Sequence, residues 1–256
     1  MRNFLPSQQV SGTNRLIDWL IGWLINYKKI IIFKFVFGDR FTLVKEHLVE
    51  FNQLAMANAA GSDDMLNRVM TKDNIGLAAL LQTKEAAFDG GLTDRPAGST
   101  TGRGSGQPLL VCNAHMHWDP EYCDVKLIQT MMLVNELKRI ARQAATVYEE
   151  FCQPTAPNAD PASSVPIVLC GDLNSSPDSA VVEFLARSTI PNNHSDFKEL
   201  AYKDCLRKLS SSPDMETHYT HSFRFSKAYP DDLMPYTNYT YVYLFVRLGL
   251  SYSIMF

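Results

Sequence analysis

The chain has 256 residues, 46% of them hydrophobic and 20% charged, with a formal net charge of −3. That length can bury one large core or two small ones, and the composition is globular rather than disordered. The charge balance excludes an overall basic field for collecting nucleic acid, so a polynucleotide would have to be held by a local site, aided by metal ions.

Leu16–Phe37 is rich in Ile, Leu, Trp and Phe, but Asp18, Asn26, Lys28, Lys29 and Lys34 interrupt it. No apolar run of roughly 18 residues survives, which speaks against a membrane span. A signal peptide would carry its apolar core nearer Met1. The segment reads as a short amphipathic or buried helix around Leu16–Ile25, then a strand around Ile30–Phe37. From Phe41 the texture is that of an α/β protein. Phe41–Phe51 predicts one strand or a bent pair, Met65–Met70 has helical spacing, and Ile75–Thr83 reads as a strand. Arg95–Gln107 is a surface loop by composition.

Leu109–Trp118 is more informative. Leu110, Cys112, Ala114 and Met116 fall on one face. Leu109, Val111, Asn113, His115 and His117 fall on the other, which turns polar only at its carboxyl end. A buried strand whose tip enters a site has this pattern. His115, His117 and Asp119 share one parity and also have the spacing of metal ligands. A histidine donating to a phosphate oxygen is the better functional reading, and a hydrogen-bonded histidine beneath a loop is the structural one.

A long helix follows, its stripe made by Leu127, Met131, Val134, Leu137, Ala141, Ala144, Tyr148 and Phe151. Gln153–Ser164, with three prolines, is a loop, and Ile167–Cys170 reads as a strand buried on both faces. That strand ends in a Gly171-Asp172-Leu173-Asn174 turn. Ser175 and Ser176 are candidate N-caps, and Pro177 suits the first position of a helix whose apolar side is Val181, Val182, Phe184 and Leu185. If the backbone stays extended, Asp172 and Asn174 point the same way. A carboxylate that ligates a divalent cation or takes a proton, beside an amide that contacts phosphate, is what phosphodiester hydrolysis needs. The same four residues are also ordinary turn chemistry. The strand–helix–strand order between Leu109 and Arg187 is a crossover that can set the two polar-ended strands side by side.

Asn113–Pro120, Cys170–Ser175 and Met234-Pro235-Tyr236-Thr237-Asn238-Tyr239-Thr240 together resemble the exonuclease–endonuclease–phosphatase superfamily. More narrowly, they resemble the catalytic domain of the carbon-catabolite-repressor-type poly(A) deadenylase of the Not complex. The resemblance runs from about Phe41 to Thr240 and includes Phe41–Val44 and Met65–Gly76. It implies an α/β fold, a two-sheet sandwich, and a magnesium-dependent exoribonuclease that removes adenylates from the 3′ end of messenger RNA. Carried over by position, Asp172 would bind Mg2+ and act as the acid–base group. Asn174 and His115 would contact the scissile phosphate, Pro120 would pack against an adenine, and Asn238 would touch substrate. The partners implied are poly(A) RNA and the Not complex, and no membrane.

The chain also departs from the family pattern. It contains no Gln-Glu dipeptide, which in the family carries a metal-binding glutamate, and no leucine-rich docking repeat. Tyr241–Phe256 has no Asp, Glu or His, where the family has a catalytic aspartate and a Ser-Asp-His ending. The expected organisation is therefore a non-family segment over 1–38, a partial nuclease domain over 39–240, and a non-family hydrophobic tail over 241–256, the fold being incomplete at both ends. Turnover by this polypeptide alone is expected to be abolished, since such groups act as a unit. The alternatives are a non-catalytic RNA- or partner-binding fragment, and another superfamily phosphodiesterase acting on lipid or nucleotide phosphates. Five cysteines without Cys-x-x-Cys spacing point to a reducing compartment, and the family to the cytoplasm with the nucleus as a second location.

Overall fold

The computed structural model describes residues 40–84, 105–154, 156, 159–211, 217–227 and 242–247. The elements expected within Leu16–Phe37, most of the Arg95–Gln107 loop, and Asn238 lie outside these residues.

β1 (Phe41–Glu50) leads directly into helix α1 (Phe51–Asn58), and a single π-helical turn (Met65–Val69) precedes β2 (Ile75–Thr83). β3 (Pro108–His115) is followed by a short 3₁₀ turn (Pro120–Tyr122) and the long helix α2 (Cys123–Val147). Then come β4 (Ile167–Asp172), α3 (Ala180–Arg187), β5 (Thr189–Pro191), α4 (Lys203–Leu206), β6 (His218–Thr220), β7 (Ser226–Lys227) and β8 (Val242–Arg247). The main sheet has the order β1-β2-β3-β4-β8-β7, and β5 pairs with β6 in a second, two-stranded sheet. The α/β, two-sheet expectation holds, with sheets of unequal size.

Two buried faces shape the central strands. On one, Ala78, Leu80, Leu110, Cys112, Ala114 and Leu169 pack into the principal core with α2 and α3. Ile190 and Tyr219 bring the small sheet into that same core. On the other, Ala79, Leu81, Leu109, Val111 and Val168 form a separate apolar cluster with Phe41. Burial on both sides explains why β2 to β4 are near-continuous apolar runs. β3 and β4 are joined through α2 and lie parallel, with Leu110 opposite Ile167 and His115 opposite Asp172. β8, inside the segment expected to be a non-family tail, pairs antiparallel with β4 and places Val242 opposite Asp172. Among the described residues no helix is long and apolar enough to cross a membrane. All five cysteines are free, and burial pushes the Cys170 thiol up to about 12, so it does not act as a thiolate at neutral pH.

Two local expectations need correction. β3 stops at His115 rather than Trp118, because the chain there leaves the ladder for side-chain partners. The Met116 carbonyl accepts from Asn174 Nδ2 at 2.9 Å, and the His117 N–H donates to Gln129 Oε1 at 3.0 Å. Helix α3 begins at Ala180 with Ser179 as its N-cap, not at Pro177 behind Ser175 or Ser176. The Ser175 hydroxyl instead donates to the Leu173 carbonyl at 2.8 Å. Asp196 Oδ2 accepts from the Ala180 N–H, fixing the helix start from outside its own sequence neighbourhood.

Candidate active site

The parallel register of β3 and β4 decides where chemistry can occur. Val111 pairs with Val168, Asn113 with Cys170 and His115 with Asp172, so each pair projects from the same face. That face is apolar at its middle and polar at its carboxyl tips. His115 is exposed and Asp172 half-buried. The imidazole and the carboxylate anticipated from sequence are therefore cross-strand neighbours at one sheet end.

Beneath them, Gly171 has φ +144 and abuts Ala114 so closely that a Cβ would sit 1.9 Å from the Ala114 carbonyl oxygen. Only glycine allows the two strand tips this approach. The backbone then turns. Asn174 adopts φ +47 and its N–H donates to Asp172 Oδ1 at 2.9 Å. The extended geometry expected past Asp172 is thus replaced by a side-chain-closed turn, a conformation that Asn tolerates and Asp stabilises. One N–H of the Asn174 amide is committed to Met116, which ties the turn to the chain beyond β3. The amide keeps its oxygen and its second N–H for a ligand.

Three further side chains hold these tips, and sequence reading did not single them out for it. Asn74 donates to the His115 carbonyl at 3.1 Å and accepts from Gln129 Nε2 at 3.2 Å. Gln129, fully buried on α2, in turn accepts from the His117 N–H. One amide pair therefore fixes the backbone on both sides of Met116. Lys126, 5% exposed, donates from Nζ to the Asn174 carbonyl at 2.9 Å. Burial pushes its ammonium below the ordinary lysine range, against the pull of nearby acids such as Asp119 and Asp196. Among the described residues no carboxylate lies within ion-pair distance of it. A buried ammonium placed behind the turn costs stability and supplies positive potential where an anion would bind. The signal for Lys126 and Gln129 is a polar set, shared with Asp124 and Thr130, within a helix start whose remaining residues are apolar.

His117, Asp119 and Pro120 have other places. The His117 ring is packed edge-on against Tyr122, with centroids 5.2 Å apart. Burial first, then the Lys72 charge, holds its pKa below the usual histidine value, favouring the neutral imidazole. Asp119 Oδ1 caps the 3₁₀ turn by accepting from the Glu121 N–H. The reading of His115, His117 and Asp119 as metal ligands does not survive, because among the described residues no three His, Cys, Asp or Glu side chains come together. Pro120 is exposed and opens that 3₁₀ turn. Among the described residues Asp172 is the single carboxylate at the β3–β4 tips, short of a self-sufficient cation site. Magnesium can be held by one or two carboxylates completed by substrate phosphates and water, and Asp172 fits one such position.

No protein-family model matches the chain. Individual relatives do. The zebrafish (Danio rerio) "CCR4-NOT transcription complex subunit 6-like" is 54% identical over 208 residues, 79% of this chain and 34% of its own length. The Xenopus laevis "CCR4-NOT transcription complex subunit 6-like-A" is 51% identical over 218 residues, 84% of this chain and 37% of its own. Over most of its own length the chain is a homologue of these CCR4-NOT complex subunits. A more distant relative, the "CCR4-Not complex 3'-5'-exoribonuclease subunit Ccr4" of Mycosarcoma maydis, is 34% identical over 212 residues. The chain spans about a third of the length of these curated relatives. A solved structure of ANGEL2, a 2′,3′-cyclic phosphatase, shares 22% identity over 81% of this chain and 56% of its own, with a TM-score of 0.49, too weak a likeness to bear on function.

Proposed function

We propose that this chain is a nuclease module of the deadenylase family directed at the 3′ end of poly(A) RNA, operating within the Not complex in the cytoplasm and nucleus. The observation that carries the reading is the in-register placement of His115 and Asp172, with Asn174 in the turn that follows. These groups suit a phosphodiester. His115 can donate to a phosphoryl oxygen, the free N–H of Asn174 can donate to another, and Asp172 can hold a proton or a cation. Magnesium, with Asp172 among its ligands, would supply charge neutralisation at the phosphate. Lys126 and the Asn74–Gln129 pair position the turn and the β3 tip without touching substrate. Asn238 belongs to the substrate-contacting set by family position.

With one carboxylate at the tips among the described residues, the chain alone is expected to bind oligo(A) without turning it over. The test pairs binding with cleavage: fluorescence anisotropy of labelled oligo(A) and oligo(U), and gel analysis of the same oligomers after incubation with magnesium. Binding that prefers oligo(A), weakened in Asp172→Ala, is the expected result. Magnesium-dependent shortening abolished by Asp172→Ala would overturn the lack of turnover while keeping the substrate. Failure to bind oligo(A), or hydrolysis of a small phosphodiester without preference among oligomers, would overturn the reading.

A further inference from the structure

Three residues beyond His115 stands Trp118, which is 70% exposed and the only Phe, Tyr or Trp side chain that is exposed among the described residues. An indole left in water has a cost in apolar area, and here nothing in its own strand requires it, because β3 has already ended. Its mount is rigid. The preceding backbone N–H is held by buried Gln129, and the following Asp119 caps the 3₁₀ turn. Trp118 also begins a row of rings. Its centroid lies 6.0 Å from that of His117, which lies 5.2 Å from that of Tyr122.

The far end of the row is cationic. Lys72 Nζ lies 4.1 Å and Arg68 Cζ 4.6 Å from the Tyr122 centroid. The two cations differ in availability. Arg68 is engaged by both carboxylate oxygens of Asp124, at 2.8 and 2.9 Å. Lys72 has no carboxylate within 4.0 Å among the described residues. Of the two acids at the 3₁₀ turn, Asp119 is engaged by its cap and Glu121 by Lys198 at 3.7 Å. An exposed aromatic plane joined to an unpaired ammonium is the combination that holds single-stranded nucleic acid, bases on rings and phosphates on cations. Neither group discriminates among bases, so this surface would add affinity rather than adenine selectivity.

We propose that Trp118 and Lys72 form a second subsite for single-stranded RNA, in which Trp118 stacks a base 5′ of the nucleotide at the β3–β4 tips and Lys72 contacts a backbone phosphate. This rests on the substrate reading above. The test compares a ligand long enough to reach the subsite with one that is not: hexa-adenylate and adenosine monophosphate, titrated into the full chain. Trp118→Ala weakens hexa-adenylate about tenfold. It leaves adenosine monophosphate unchanged and, the side chain being exposed, keeps the urea midpoint. Trp118→Phe retains affinity within about threefold, since a ring is kept. Lys72→Gln lowers the slope of log K against log salt by about 0.7, the share of one phosphate contact on a single strand, whereas Trp118→Ala leaves the slope intact.

Wild-type affinity of Trp118→Ala for hexa-adenylate would remove the subsite while leaving the nuclease reading standing. Equal weakening of both ligands would place Trp118 at the primary site and also overturn the proposal. A wild-type chain that binds neither ligand would remove both readings.

Discussion

Replacing Gly171 by alanine tests the claim that close strand approach builds the site. The added Cβ would lie 1.9 Å from the Ala114 carbonyl oxygen and 2.9 Å from Ala114 N and C, all backbone atoms. Real Cβ contacts essentially never fall below 3.0 Å, so β4 would have to withdraw from β3 by about 1.1 Å. That movement strains the bond from the Met116 N–H to the Asp172 carbonyl, now 2.9 Å, and the neighbouring ladder. Backbone strain at φ +144 adds about 1–3 kcal/mol, and each lost hydrogen bond about 1 kcal/mol, giving a loss of about 3–5 kcal/mol. With a urea slope of about 2 kcal/mol/M, the unfolding midpoint falls by about 2 M. Oligo(A) affinity, measured below the transition, falls with it. Gly61→Ala is the control: its φ is also positive, at +82, but nothing lies within 4 Å of the added Cβ. It should cost only about 1–2 kcal/mol, from backbone conformation alone. If Gly171→Ala is no more destabilising than Gly61→Ala, close approach at the strand tips is not what glycine provides there.

Asp124→Asn should cost about 2–4 kcal/mol, since the fully buried carboxylate holds Arg68 at two points and accepts from the Tyr202 hydroxyl at 2.7 Å. Burial alone would raise the Asp124 pKa, but the Arg68 and Tyr202 bonds and the Arg68 charge overcome it and hold the pKa below its ordinary value of 3.8. Its stabilisation is therefore complete above that value and lost as pH falls through the lower folded one; urea midpoints from pH 7 to pH 2.5 should show an acid-side decline that Asp124→Asn lacks. Lys126→Met should change stability at pH 7 by no more than about 1 kcal/mol, because the lost bond to Asn174 is offset by removing a buried charge. Its burial-lowered pKa means the folded form is favoured fully only above the unfolded value of 10.5 and penalised as pH falls through the folded one, so a large loss of stability in this variant at neutral pH would contradict the assignment. Oligo(A) binding should nevertheless weaken in it. Gln129→Leu leaves the His117 N–H and Asn74 Oδ1 without their partner and should cost about 1–3 kcal/mol, read most directly as faster hydrogen exchange at the His117 amide.

Periodicity and local composition already contained much of this architecture. Ile75–Thr83 matches β2, and Ile167 starts β4 as its apolar run requires, because two-sided burial leaves a plain mark on the residues themselves. The switch from apolar to polar along Leu109–His115 pointed to the candidate site, since a strand tip that meets solvent has to change character. His115, Asp172 and Asn174 were legible as candidates on residue type and spacing. How they sit was not. The turn after Asp172 closes through an Asn174 side chain that reaches Met116, a partner 58 residues earlier, and helix α3 takes its first cap bond from Ser179 with Asp196 assisting from another loop. Lys126 and Gln129 look like interruptions of an apolar helix until the crossover sets them under the turn and the β3 tip. The sequence by itself determined the elements, the buried faces and the chemical types at the site, because those depend on neighbours a few residues away. Only the tertiary structure decided the register of His115 on Asp172 and the partners of each buried polar group, because both are set by contacts between segments far apart in the chain.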